Sequence, residues 1–312
     1  MKSYITDKLL QYILVLAVSS VIVFVMVRLN PTDPVAVILG GRQTTPETAA
    51  NIRREYNLDK SVFEQYRIWV IGVLRGDFGV SFKYRRAVTS LIRSRISVTA
   101  GIVILSSLIS IIIAIPTGIL TALKQHSAMD TCISLLQLFL VACPPFLSSI
   151  LIIWIITLVA PSFPFIGSFS TFGQFLRRIS LPSLALSFSM IALTSRVMKS
   201  SMIEQLQMNY RTVAVSKGLG TQTVVSRHCL KNAIIPVITI LGTQMGNLIV
   251  GSVLVENVFS LAGIGSILID GVKSSDYPLV QSITMMLVFV YMTISTVLDI
   301  LYGVIDPRIR VR

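Results

Sequence analysis

Charge is scarce in this sequence. Asp, Glu, Lys and Arg supply 13% of its 312 residues against 53% hydrophobic residues, and the mean hydropathy is +0.78. Soluble domains carry about 25% charged residues, so this balance excludes an ordinary soluble protein and fits a chain that crosses a membrane several times. Acids are scarcer still, 14 against 27 Lys and Arg, for a net charge of +13. A basic excess also suits nucleic acid, but 12 of the 27 cations fall within residues 28–95 and the others flank apolar runs. Cations so placed report membrane topology, and no nucleic-acid partner is expected. Cysteine occurs three times, at Cys132, Cys143 and Cys229, an odd number with wide spacing that argues against a disulfide framework or a zinc site. Only two histidines, His126 and His228, are present, both near span boundaries, where they read as surface or capping residues. The sequence has no G-x-x-x-x-G-K-[ST] loop, no H-E-x-x-H pair and no G-x-S-x-G elbow. No ATPase site, catalytic residue, metal site or cofactor of its own is therefore expected.

Long apolar runs are what the sequence does have. Residues 9–27 are free of charge, enough for a helix to cross a hydrocarbon core of about 30 Å at about 1.5 Å per residue. Lys2 and Lys8 precede this run, and no small-x-small cleavage site follows it, so it reads as an uncleaved anchor. Residues 96–123 are charge-free, and so are 131–176, where a helix is expected to run to about Val159 before Pro161 and Pro164. Pro116 and the Pro144-Pro145 pair lie inside these spans, so neighbouring helices or water must satisfy the freed backbone groups. Residues 181–194 are short and Ser-rich, read as a helix buried against others and continuing to about Val197. Residues 232–255 and 277–298 complete six spans. The expected fold is an all-α polytopic membrane protein with six transmembrane helices.

Orientation follows from cations in short loops, since long loops cross regardless of charge. With the N-terminus inside, the inner side collects twelve Lys and Arg, and the short outer loops only Arg177, Arg178 and Lys273. Both termini are thus expected in the cytoplasm. The expected domains are an N-terminal transmembrane helix at 1–29, an extracytoplasmic subdomain at 30–95, and a five-helix core at 96–312 with a cytoplasmic loop at about 199–231. In the subdomain, Thr45-Pro46-Glu47 opens a helix by hydroxyl cap, proline and acid. A second, amphipathic helix runs over 66–74 and stops near Gly76-Asp77-Phe78-Gly79.

The stretch 209–236 is a polar interruption between apolar runs, with Arg211, Lys217, Arg227 and Lys231 and no acid, and with Gly218 and Gly220 placed to turn the chain. Tyr210, Ala214, Lys217-Gly218-Leu219, His228, Asn232-Ala233 and Pro236 stand in a pattern that resembles the EAA loop of binding-protein-dependent ABC importer permeases. The form is similar to that of the oligopeptide/dipeptide/nickel subfamily. Pro31-Thr32-Asp33-Pro34, Tyr56-Asn57-Leu58-Asp59, residues 75–81, Pro144-Pro145-Phe146, residues 181–186, residues 255–259, Gly263-Ile264-Gly265, Asp276-Tyr277-Pro278 and residues 306–310 follow as further signatures in order. Departures occur at Asn209, Thr212, Val213 and Ala262, so no family contact is carried over to Thr212 or Val213.

The resemblance implies a coupling helix, with Tyr210, Arg211, Ala214, Lys217, Gly218 and Leu219 meeting a separate ATPase subunit. It implies as partners two ATP-binding subunits that hold ATP and Mg, a second and different permease chain, an extracytoplasmic substrate-binding protein and the lipid bilayer of the cell membrane. The solute would be a peptide, nickel, a metal chelate or another small solute. Met190, Met245 and Met285 are candidates for the pathway, with core packing an equal explanation. Glu256 and Asp270 flank an outer loop, where they serve either a cationic substrate or a pairing with Lys273. Asp299 lies late in the last span, where an ionisable group is either a functional candidate or, the favoured reading, a partner for Arg308 or Arg310. A self-sufficient secondary transporter is the alternative function; a membrane-embedded enzyme would need paired catalytic residues, which are missing.

Overall fold

The computed structural model describes residues 2–29, 32–40, 44–163 and 171–305. They form α1 (Lys2–Arg28), α2 (Pro34–Ile38), α3 (Pro46–Glu55), α4 (Val62–Leu74), α5 (Val88–Leu123), α6 (Ala128–Ala142) and α7 (Pro145–Val159). There follow α8 (Phe172–Gln207), α9 (Asn209–Ser216), α10 (Thr221–Thr223), a π-helix (Val224–Cys229), α11 (Leu230–Val258), α12 (Ile264–Lys273) and α13 (Tyr277–Ile305). The one strand-like pairing among the described residues is an isolated bridge between Val80 and Ala87. The protein is all-α and polytopic: five helices are long and apolar enough to span a membrane, and the pair α6 and α7 would make a sixth.

That pair corrects the expectation of one helix running to about Val159. The chain bends by 111° from one arm to the other. Pro145 has no N–H to give a preceding turn, and the residue before a proline is driven out of the α region; Pro144 accordingly sits at φ −62°, ψ 151° and starts a new helix. Each arm of 15 residues is about 22 Å long, too short to cross the core alone. Pro116, Pro182 and Pro236, each single, stay inside their helices.

The chain folds as two compact units, Met1–Thr99 with Leu261–Arg312, and Ala100–Ser260. In the first, α1 packs along α13, with Tyr12 edge-on to Phe289 and its hydroxyl 3.1 Å from Thr293 Oγ1. Thr45 caps α3 as expected, with Pro46 in the first turn, and Ser61 caps α4 four residues earlier than the sequence suggested. The stretch read as a subdomain shares a small core with α13, where Phe82 packs with Ile38, Tyr56 and Tyr277.

One buried carboxylate ties that core. Asp276 caps the first turn of α13 through Leu279 N at 3.3 Å, and it also accepts from Ser81 Oγ, from Phe82 N at 3.1 Å and from Lys83 N at 3.0 Å. Leaving buried backbone donors unpaired costs about 1–3 kcal/mol. Asp276→Ala is therefore expected to destabilise the protein by about 3 kcal/mol, with Asp276→Asn intermediate, read as loss of protection of the Phe82 and Lys83 amides in hydrogen exchange.

In the second unit α8 is central, contacting α6, α7 and α11. It is the most buried of the candidate spans, as its serines suggested, though it extends well beyond 181–197. Serines let helices approach closely and bond across. Ser183 Oγ donates to Ile102 O, Ser106 Oγ to Ser183 O, and Ser148 Oγ to Ala185 O at 3.1 Å. Gly118 allows the closest approach of α5: a Cβ there would lie 2.5 Å from Met198 Cβ and 2.7 Å from Ser195 O.

Candidate functional site

α8 ends where Met208 turns extended, at φ −71°, ψ 144°. The chain restarts as α9, eight residues long. Its end is built by hydrogen bonds from Gly218 N to Val215 O at 2.9 Å and from Leu219 N to Ala214 O at 3.3 Å. These are the two bonds of a Schellman cap, which needs a left-handed residue between them. Gly218 takes that place at φ +80°. Gly220 makes no left-handed turn; its carbonyl instead accepts from Thr223 N and Val224 N and starts α10.

Spacing decides which way α9 faces. Tyr210 and Ala214, four residues apart, lie on one side of the helix. Ala214 is buried at 8% exposure among Met198 and Met202 of α8, Val224 and Cys229 of the π-helix, and Ala233 of α11. Tyr210 is half-buried against the same cluster and donates its hydroxyl to Gln205 Oε1 at 2.9 Å. Burial holds its phenol above the ordinary range, with Cys229 pushing the same way and a hydrogen bond with Asn232 opposing. Tyr210 therefore remains a protonated donor at neutral pH.

The other side of α9 is open. Val213 and Val215 are 54% and 49% exposed, Leu219 is 37% exposed, and Arg211, Lys217 and Gly218 are exposed. Arg211 also reaches back, its Nη1 donating to Leu206 O at 3.1 Å at the end of α8, where a cation suits the helix dipole. The structure thus places Tyr210, Arg211 and Ala214 on α9 and Lys217, Gly218 and Leu219 in the turn that ends it, with Ala214 and Tyr210 turned inward. Val213 stands among the departures from the family pattern and Val215 in none of its signatures; at about 100° per residue the two flank the Tyr210–Ala214 side of the helix, about 80° and 120° away from it. The π-helix that follows has no local sequence signal. Such wide turns often mark functional sites.

A further contact that sequence reading missed braces this unit. Lys199 of α8 reaches Asp130 Oδ1 near the start of α6, where the carboxylate also accepts from His126 N and Ser134 Oγ. Asp130 is 7% exposed, and Lys199 had counted only as a topology cation.

The pathway candidates are spread over both units. Met190 is fully buried in the second unit, with Met245 partly buried and Glu256 fully buried. Met285 and Asp270 belong to the first unit, and Asp270 accepts from the Tyr84 hydroxyl at 3.3 Å. The expected pairing of Asp299 with Arg308 or Arg310 lies outside the described residues.

The binding-protein-dependent transport system inner membrane component model matches residues 114–311, and the N-terminal model of the same transport systems matches residues 1–103. A probable peptide ABC transporter permease of Sinorhizobium fredii is 32% identical over 98% of this chain and 99% of its own. The oligopeptide transport system permease protein OppB of Escherichia coli is 33% identical over 99% of this chain and 100% of its own.

Proposed function

This chain belongs to the family of binding-protein-dependent transport system inner membrane components, as a multi-pass inner membrane permease of the oligopeptide type, and we propose that it moves solute on energy delivered to α9 by separate ATPase subunits. The carrying observation is α9 itself, a short helix pinned to its own core by Ala214 and Tyr210, closed by Gly218, and offering Val213, Val215, Leu219 and Lys217 outward. Apolar side chains with a cation beside them suit a groove with an acidic rim on a partner. ATP-driven closure of the partners would move α9, and its packing on α8, the π-helix and α11 would carry that motion into the membrane spans.

In this reading ATP and Mg sit on two partner ATPases. A second permease chain completes the translocator, and an extracytoplasmic binding protein delivers solute to the side carrying residues 30–95. Peptides are the favoured solute class, because the named relatives are peptide permeases; nickel or a metal chelate is the lesser alternative.

Gly218 supplies the test. A Cβ at this position meets nothing within 4 Å, so substitution acts only through the left-handed backbone, at about 1–2 kcal/mol for most residues and less for Asn. Gly218→Val is expected to lower ATP-dependent uptake about five- to thirtyfold, with Gly218→Asn closer to the parent. The readout is uptake by proteoliposomes holding the complete complex. ATP-independent uptake by this chain alone, driven by an ion gradient, would instead support a self-sufficient secondary transporter and sink the proposal.

A further inference from the structure

We propose that a cavity in the first unit is a binding site for a small zwitterion, such as a short peptide with free termini. The cavity holds about 460 Å³ beside the end of α1, α4, the loop after it and the start of α13. That volume lies within the range of small-molecule sites. Its most interior charge is Arg28. The guanidinium is held by neutral acceptors, Gln65 Oε1 at 3.0 and 3.2 Å, Gln281 Oε1 at 3.2 Å and Phe24 O at 3.2 Å, and lies 3.4 Å from the centre of the Phe24 ring. None of these contacts neutralises its charge.

Trp69 lines the same cavity and places an indole beside it. A guanidinium held by neutral acceptors, with no carboxylate on it among the described residues, suits an anionic oxygen, and a carboxylate supplies two. The acids lie farther out: Glu55 and Asp77 line the cavity but are exposed, with Asp77 Oδ1 accepting from Gly79 N. One cation within and two carboxylates at the rim make a gradient that favours a ligand entering carboxylate first with its ammonium outward. The aromatic rings of Tyr56 and Tyr277 form apolar wall between the two ends. This site is separate from α9, and its occupancy does not depend on ATPase coupling.

The test uses the full chain in lipid nanodiscs with Trp154→Phe, which leaves Trp69 as the single indole. Alanyl-alanine, its C-terminal amide and its N-acetyl derivative are titrated against Trp69 emission. Alanyl-alanine is expected to give a saturable change, the amide to bind about tenfold more weakly and the acetylated form only about threefold more weakly, because exposed acids contribute less than an enclosed cation. Arg28→Lys should keep the preference for a free carboxylate and Arg28→Gln should erase it. Glu55→Gln with Asp77→Asn, both at exposed positions, should erase only the preference for a free amine, so the inference stays open to test if Arg28→Gln fails to fold. No saturable change with any ligand, equal affinities for all three, or parental preferences in the rim variant would each overturn it.

Discussion

Ala214→Phe is expected to abolish ATP-dependent uptake, with the chain still inserted and folded. Ala214 is the one residue of α9 with described burial that is buried, set among Met198, Met202, Val224, Cys229 and Ala233. A phenyl ring has no space there; overpacking a filled site costs about 1–3 kcal/mol. The least costly relief is to lift α9, an eight-residue helix, from the cluster rather than to rearrange the long spans beneath it. Coupling then falls much further than stability does. Ala214→Ser, close in volume, should retain most uptake. The measurement is ATP-dependent uptake by the complex beside its thermal unfolding midpoint. An Ala214→Phe complex that transports like the parent would show that α9 need not be seated to carry the stroke.

Lys199→Met is expected to lower stability by about 2 kcal/mol, and the unfolding midpoint by roughly 5 °C. Removing one partner of a buried ion pair usually costs about 3–5 kcal/mol. The smaller figure applies here because Asp130 keeps hydrogen bonds from His126 N and Ser134 Oγ and Lys199 is 22% exposed. Adding Asp130→Asn to Lys199→Met should recover much of the loss, since no uncompensated charge then stays between α6 and α8. Additive effects in that double-mutant cycle would mean that the pair contributes nothing as a pair.

The sequence carried the membrane class, most spans, the helix caps at Thr45 and Pro46, and the turn at Gly218. Each is a local property: hydropathy over a window of about 20 residues, a hydroxyl before a first turn, or a glycine where a side chain would meet its own backbone. The bend between α6 and α7 was also written locally, in Pro144-Pro145. An uncharged run long enough for one helix concealed it, because hydropathy counts length while proline geometry decides continuity.

The contacts that shape the candidate sites are of another kind. Asp276 joins backbone donors 193 and 194 residues away, and Lys199 meets Asp130 across 69 residues. No periodicity encodes such pairings, which exist only once helices have packed. The same holds for Arg28 and Gln281, 253 residues apart, whose meeting turns a span-end cation into the inner charge of a cavity.

By itself, then, the sequence determined that this chain lives in a membrane and that a polar stretch with a turn at Gly218 interrupts its apolar runs, since hydropathy and the left-handed turn act within a few residues; the short helix before that turn was implied by the family resemblance. Only the tertiary structure decided that Ala214 faces the core and Val213 and Val215 face outward, because the face a short helix buries is set by the distant side chains of α8 and α11 that pack against it.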